Sequence, residues 1–77
     1  MKAGEIWISF DVSQAIYIVK KKNEEIYTVA VFGLGVDLKE DIKHIMSMRY
    51  SAYTNEIGRE QIIKNYNKYY EEDYNDQ

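Results

Sequence analysis

The sequence predicts a mainly β domain with a C-terminal helix (α+β), built as a twisted antiparallel sheet packed by one helix. Three observations predict it. The first half of the chain alternates apolar and polar residues with a period of two. Two β-rich runs are separated by a short polar "KKNEE", which is the pattern of a hairpin. A helical period of 3.6 residues is clear only after Gly58.

The elements follow in order. In "EIWISF", Ile6, Ile8 and Phe10 fall on one face and Glu5, Trp7 and Ser9 on the other, as in a half-buried strand. "AIYIVKKK" and "EIYTVAVF" form the hairpin. Asn23 supplies its turn, and Lys21 or Lys22 sits across from Glu24 or Glu25. Ile26, Thr28, Ala30 and Phe32 alternate with Tyr27, Val29 and Val31, so this strand is apolar on both faces and belongs inside the sheet. Gly33 and Gly35 then release the chain.

The segment 38–54 fits two periods. As a helix it has Asp37 as cap, Glu40 three positions on, and Leu38, Ile42, Ile45, Met46 and Arg49 on one stripe. As a strand, Met46, Met48, Tyr50 and Ala52 alternate with Ser47, Arg49, Ser51 and Tyr53. The reading adopted is a helical turn near 38–44 and a strand near 45–54. From Arg59 to about Tyr70 a helix carries Ile62, Ile63, Tyr66, Tyr69 and Tyr70 on one stripe, with Gly58 as its entry. Glu71, Glu72 and Asp73 then lie at the negative end of the helix dipole, which predicts fraying near Tyr70 and a flexible acidic tail over 71–77.

Length and composition bound the rest. A chain of 77 residues forms one domain, here 1–70, and 45% hydrophobic residues suffice for a core of modest stability. Without cysteine there is no disulfide and no thiolate metal or redox site, which fits a cytoplasmic protein. The apolar run Val29 to Val36 is too short to span a bilayer, so no membrane partner is expected. The net charge of −3 is unevenly placed: residues 1–55 hold seven acids and seven bases, and residues 56–77 six acids and three bases.

Two stretches resemble known small barrels. "KAGEIW" is similar to the opening strand of SH3-like barrels and of the mRNA-interferase toxins that share this architecture. "IGREQIIKNYNKY" resembles the closing segment of short SH3-like proteins carried by phages and mobile elements of low-GC Gram-positive bacteria. The resemblance covers about a quarter of the chain and implies an SH3-like small barrel in the cytoplasm of a bacterial host. The toxin family continues after its first strand with a basic-proline-valine stretch and a catalytic Arg. Here Asp11 to Val19 reads "DVSQAIYIV", so the nuclease function does not carry over.

No catalytic constellation is visible. His44 has no converging ligands, and Asp37, Glu40 and Asp41 lack the alternating donors and turn glycine of a calcium loop, so neither a metal nor a cofactor is expected. Gly33-Leu34-Gly35 is too short for a phosphate cradle and reads as a bend. Met46 and Met48 read as core filling, with an adaptable contact surface as the other option. The tail combines Tyr69, Tyr70 and Tyr74 with Glu71, Glu72, Asp73 and Asp76: rigid contact area surrounded by acids, suited to a host protein with a basic surface. The function expected is a small non-enzymatic protein-binding module, a phage-encoded inhibitor that blocks a host or defence protein sterically and electrostatically. One alternative is a nucleic-acid-binding barrel using Lys20, Lys21 and Lys22 with Trp7, Tyr17 or Tyr27 for stacking, against which stands a sequence pI near 5.0. Another is a structural protein that self-associates into a homo-oligomer through a strand edge or the tyrosine-bearing helix.

Overall fold

Five strands and two helices succeed one another along the chain in a computed structural model that describes residues 1–48 and 53–70. They are β1 (Ile6–Ser9), β2 (Gln14–Lys21), β3 (Ile26–Gly33), α1 (Leu38–Met48), β4 (Thr54–Gly58), α2 (Arg59–Asn65) and β5 (Tyr66–Lys68). The strands make one antiparallel sheet in the order β4-β3-β2-β1-β5. The last strand therefore returns to lie beside the first.

The β2–β3 hairpin is as the sequence predicts. Asn23 Oδ1 accepts hydrogen bonds from the backbone N–H groups of Glu25 (2.8 Å) and Ile26 (2.9 Å), and the Lys22 N–H donates to the Ile26 carbonyl at 2.9 Å. Lys21 Nζ lies 3.4 Å from Glu24 Oε2. One residue beyond the regular ladder is accommodated between Ile18, opposite Val29, and Lys20, opposite Thr28. This bulge lets the strand keep Ile18 in the core while Lys20 reaches solvent.

Both faces of the sheet are covered. On one, Ile16, Ile18, Tyr27, Val29 and Tyr66 pack with Ile62 of α2, and Trp7, Val31 and Ile57 flank them. On the other, Ile6, Ile8 and Ala15 pack with Ile42 and Ile45 of α1, beside Tyr17, Phe32, Leu34, Leu38 and Tyr69. Alternation makes this possible: Ile16 and Ile18 of β2 point to the α2 side while Ala15 and Tyr17 point to the α1 side. Among the described residues no polar or charged side chain is fully buried. No helix among them is long and apolar enough to cross a membrane.

Four expectations are corrected. The sheet is packed by two helices, not one, and the C-terminal helix is not the last element. The middle helix continues to Met48, through positions assigned to a strand, because Ile42 and Ile45 bury together on a helical spacing against β1 and β2. Asp37 caps it, its Oδ1 accepting from the Glu40 N–H at 3.2 Å. Strand structure is found at Thr54–Gly58. Met46 and Met48 are exposed and fill no core.

The third and fourth corrections concern the C-terminal stripe and β1. α2 ends at Asn65, and Tyr66–Lys68 pair with Ser9, Ile8 and Trp7 of β1. Tyr66 joins the α2-side core and Tyr69 the α1-side core, which a strand permits and a single helical stripe does not. Ile63, expected in the packing, is 47% exposed, whereas Ile62 is fully buried. β1 stops at Ser9, and Phe10 leaves its expected buried face for solvent, 58% exposed.

Candidate functional site

Sequence patterning does not announce an open groove of about 960 Å³ in the surface. One wall is the turn between β1 and β2, with Ser9, Phe10, Asp11, Ser13 and Gln14; the other is the end of β4 and the exposed side of α2, with Glu56, Ile57, Gly58, Glu60 and Gln61. Asn65 and Tyr66 complete it.

The β1–β2 turn is built around two side chains. Asp11 Oδ1 accepts from Ser9 Oγ (2.8 Å), Ser13 Oγ (2.7 Å) and the Ser13 N–H (3.0 Å). Ser9 Oγ accepts from the N–H groups of Ser13 and Gln14, both at 3.1 Å, and the Val12 N–H donates to the Ser9 carbonyl at 2.9 Å. The serine hydroxyls and the Ser13 N–H hold the Asp11 carboxyl below its ordinary value, so it is an anion at neutral pH. Val12 sits at φ 59°, a left-handed conformation that a β-branched residue adopts only when its surroundings impose it. The Phe10 N–H is anchored to the Asn65 carbonyl at 3.1 Å, so the turn is tied to the end of α2. Below it, Gln14 Nε2 donates to the Tyr66 hydroxyl at 2.6 Å.

This architecture spends backbone strain and several hydrogen bonds on an exposed turn, and displays Phe10 and Val12 to solvent. Asp11, Glu56 and Glu60 are among the lining residues, and no Lys or Arg is. Alternation turns the Glu56 side chain to the face opposite Ile57, where its carboxylate pairs with Lys22 Nζ at 2.8 Å, so the groove's negative charge rests on Asp11 and Glu60. The arrangement offers a preorganised aromatic contact beside negative charge.

The predicted residues are distributed elsewhere. Tyr69 is half-buried under α1, and its N–H donates to the Ile6 carbonyl at 2.8 Å. Tyr70 is exposed, with Lys68 Nζ 4.9 Å from its ring centroid. Glu71, Glu72, Asp73, Tyr74 and Asp76 lie outside the described residues. Of the residues proposed for nucleic acid, Trp7 packs on the α2 side of the sheet and Tyr17 on the α1 side, so they do not share a stacking surface. Tyr27 is in the core. Trp7 Nε1 donates to Glu5 Oε1 at 3.0 Å, and Lys68 Nζ pairs with Glu5 at 3.3 Å. Lys20, Lys21 and Lys22 are exposed, but the last two face Glu24 and Glu56. Of the weighed acids, Asp37 caps α1, Asp41 Oδ2 accepts from the Gly35 N–H at 2.7 Å, and Glu40 lies 4.0 Å from Lys43.

Sequence inspection missed the groove because its walls are far apart in the chain. The available signal was local: "SFDVSQ" carries the Ser and Asp residues that close side-chain turns, interleaved with two apolar residues that such a turn cannot bury. Comparison of the chain with protein-family models, with curated proteins and with solved structures finds no match.

Proposed function

We propose that this chain is a small protein-binding module, not an enzyme, and that its groove receives a basic segment of a partner protein. The observation that carries this reading is the pairing of exposed Phe10, on a turn fixed by Asp11 and Ser9, with the acids Asp11 and Glu60 of the same groove. A preorganised aromatic side chain contributes contact area at low entropic cost, and surrounding like charges select the sign of the partner. The acids of the tail, Glu71, Glu72, Asp73 and Asp76, carry the same sign of charge, with Tyr70 and Tyr74 as further contacts.

The finer fold reading is an SH3-like small barrel. It is supported by the return of β5 to lie beside β1 and by a groove that draws on both the β1–β2 turn and the far strand β4, an arrangement a curled sheet accommodates. Combined with the resemblance to small barrels of phages and mobile elements, this makes a phage-encoded inhibitor of a host or defence protein the biological reading, acting by steric and electrostatic blocking in the bacterial cytoplasm. The nucleic-acid reading has less support, since its aromatic residues lie on opposite faces and its lysines face acids.

The test is affinity capture from nuclease-treated host lysate with three baits: the full chain, the chain ending at Tyr70, and the Phe10→Ser variant. One basic protein retained by the full chain and released by Phe10→Ser supports the groove. Release by the truncation alone moves the site to the tail. Retention of nucleic acid, or no retained protein, overturns the reading.

A further inference from the structure

β4 is an edge strand. It pairs with β3, and no described strand lies beyond it. The Val31 N–H donates to the Tyr53 carbonyl (3.1 Å) at one end of this ladder, and the Arg59 N–H to the Glu25 carbonyl (2.7 Å) at the other. In an antiparallel ladder such bonds recur at every second residue, so Asn55 and Ile57 also face β3, while Thr54, Glu56 and Gly58 turn their backbone groups to the free edge. Edges are normally blunted by charged side chains, lysine above all, by proline or by a bulge. β4 has no lysine, proline or bulge: its sequence is TNEIG, its single charge, Glu56, is paired with Lys22, and its pairing with β3 is unshifted. Among the described residues, the Glu56 N–H is met by the flexible side chain of Asn55, at 2.9 Å.

The same stretch, Glu56 to Gly58, forms a wall of the groove. We infer that the partner segment binds as an added β-strand, hydrogen-bonded to the free edge of β4, with basic side chains at alternate positions directed to the acids of the groove. This rests on the protein-binding reading above and specifies its mode. Main-chain hydrogen bonds supply affinity and alternate side chains supply selectivity in such strand addition. Charge decides the occupant. A second copy brings the chain's own net charge of −3, and the chain's own tail carries four acids, Glu71, Glu72, Asp73 and Asp76, so like charge opposes both. An extended segment with Lys or Arg at every second position, and an apolar residue meeting Phe10, satisfies edge and groove together.

The experiment selects short random peptides from a display library on the full chain. The best binder is then synthesised in two forms, each N-methylated at one of its two alternating sets of amides. The expected result is a consensus with basic residues at i and i+2 and no proline. One N-methylated form should lose affinity by about tenfold or more, the other should bind like the parent, and hydrogen exchange at Thr54 and Glu56 should slow. If both forms bind equally, or protection appears only away from β4, strand addition is overturned while an acidic peptide-binding groove stands. If no basic peptide is enriched at all, the protein-binding reading falls with it.

Discussion

Ile62 and Ile63 are adjacent, chemically identical and both on the apolar stripe of the sequence, yet the structure assigns them opposite weights. Ile62 is fully buried against Ile16, Ile18, Tyr27, Val29 and Tyr66, each no more than 7% exposed. These neighbours belong to three paired strands and cannot collapse into the space left by truncation. Ile62→Ala should therefore fall in the middle of the range for buried large-to-small changes, about 3–4 kcal/mol. A domain of this size has roughly 4–12 kcal/mol in total, so the variant loses about a quarter or more of its stability. Ile63 is 47% exposed and leaves no cavity. Its truncation forfeits part of a transfer term and gains some helix propensity, for a net cost of about 0.5 kcal/mol. The assay is equilibrium urea unfolding followed by Trp7 fluorescence, since Trp7 flanks the same core. With a slope near 1 kcal/mol per M, the midpoint of Ile62→Ala should fall by about 3 M and that of Ile63→Ala by about 0.5 M. Equal shifts, or an Ile62→Ala cost below about 1 kcal/mol, would refute the assignment of the α2-side core.

Gly4 sits at φ 95°, with its N–H bonded to the Ile18 carbonyl at 2.8 Å and open space where a Cβ would lie. Gly4→Ala should cost about 1–2 kcal/mol through backbone conformation alone, whereas Gly33→Ala, also in open space but without a positive φ, should be neutral or stabilising by up to about 0.5–1 kcal/mol; thermal unfolding of the pair checks this. Burial pushes the Glu5 carboxyl up, but hydrogen bonds from Trp7, the Lys2 backbone and Lys68, with the Lys68 charge, outweigh it and hold it below its ordinary 4.5. Because the folded-state value is depressed, this stabilisation is complete above that ordinary value and is lost as pH falls through the folded-state value. Stability should therefore decline more steeply on acidification in the native chain than in Glu5→Gln, and parallel curves would contradict the assignment. Tyr66→Phe removes the 2.6 Å bond from Gln14 and should cost about 0.5–1.5 kcal/mol while leaving the sheet intact by circular dichroism.

What was legible in the sequence was local. Alternation in Ile6–Ser9 and Ile26–Gly33, the Asn23 turn, the Asp37 cap and the extended entry at Gly58 all depend on residues within a few positions of one another, where steric preference and side-chain hydrogen bonding act without help from the fold. The chain thereby determined a mainly β domain with helical segments after Gly35 and Gly58.

The tertiary structure decided where competing local patterns yield. Tyr66 continues the spacing of Ile62 and would extend α2, but the open edge of β1 offers backbone partners at Ser9, Ile8 and Trp7, and the chain leaves the helix to pair there. Ile45 lies in a segment with two periods, and only a second apolar sheet face, created when β1 and β2 pair, makes the helical period the one that buries. The groove is wholly of this kind. Phe10 becomes exposed because Asp11 and Ser9 close the turn beneath it, and Glu60 and Gln61 of α2, some fifty positions on, line the same groove. Short-range preferences act on a few residues and are written in order along the chain. Burial and edge pairing are contacts between distant segments, and they exist only once the whole sheet has formed.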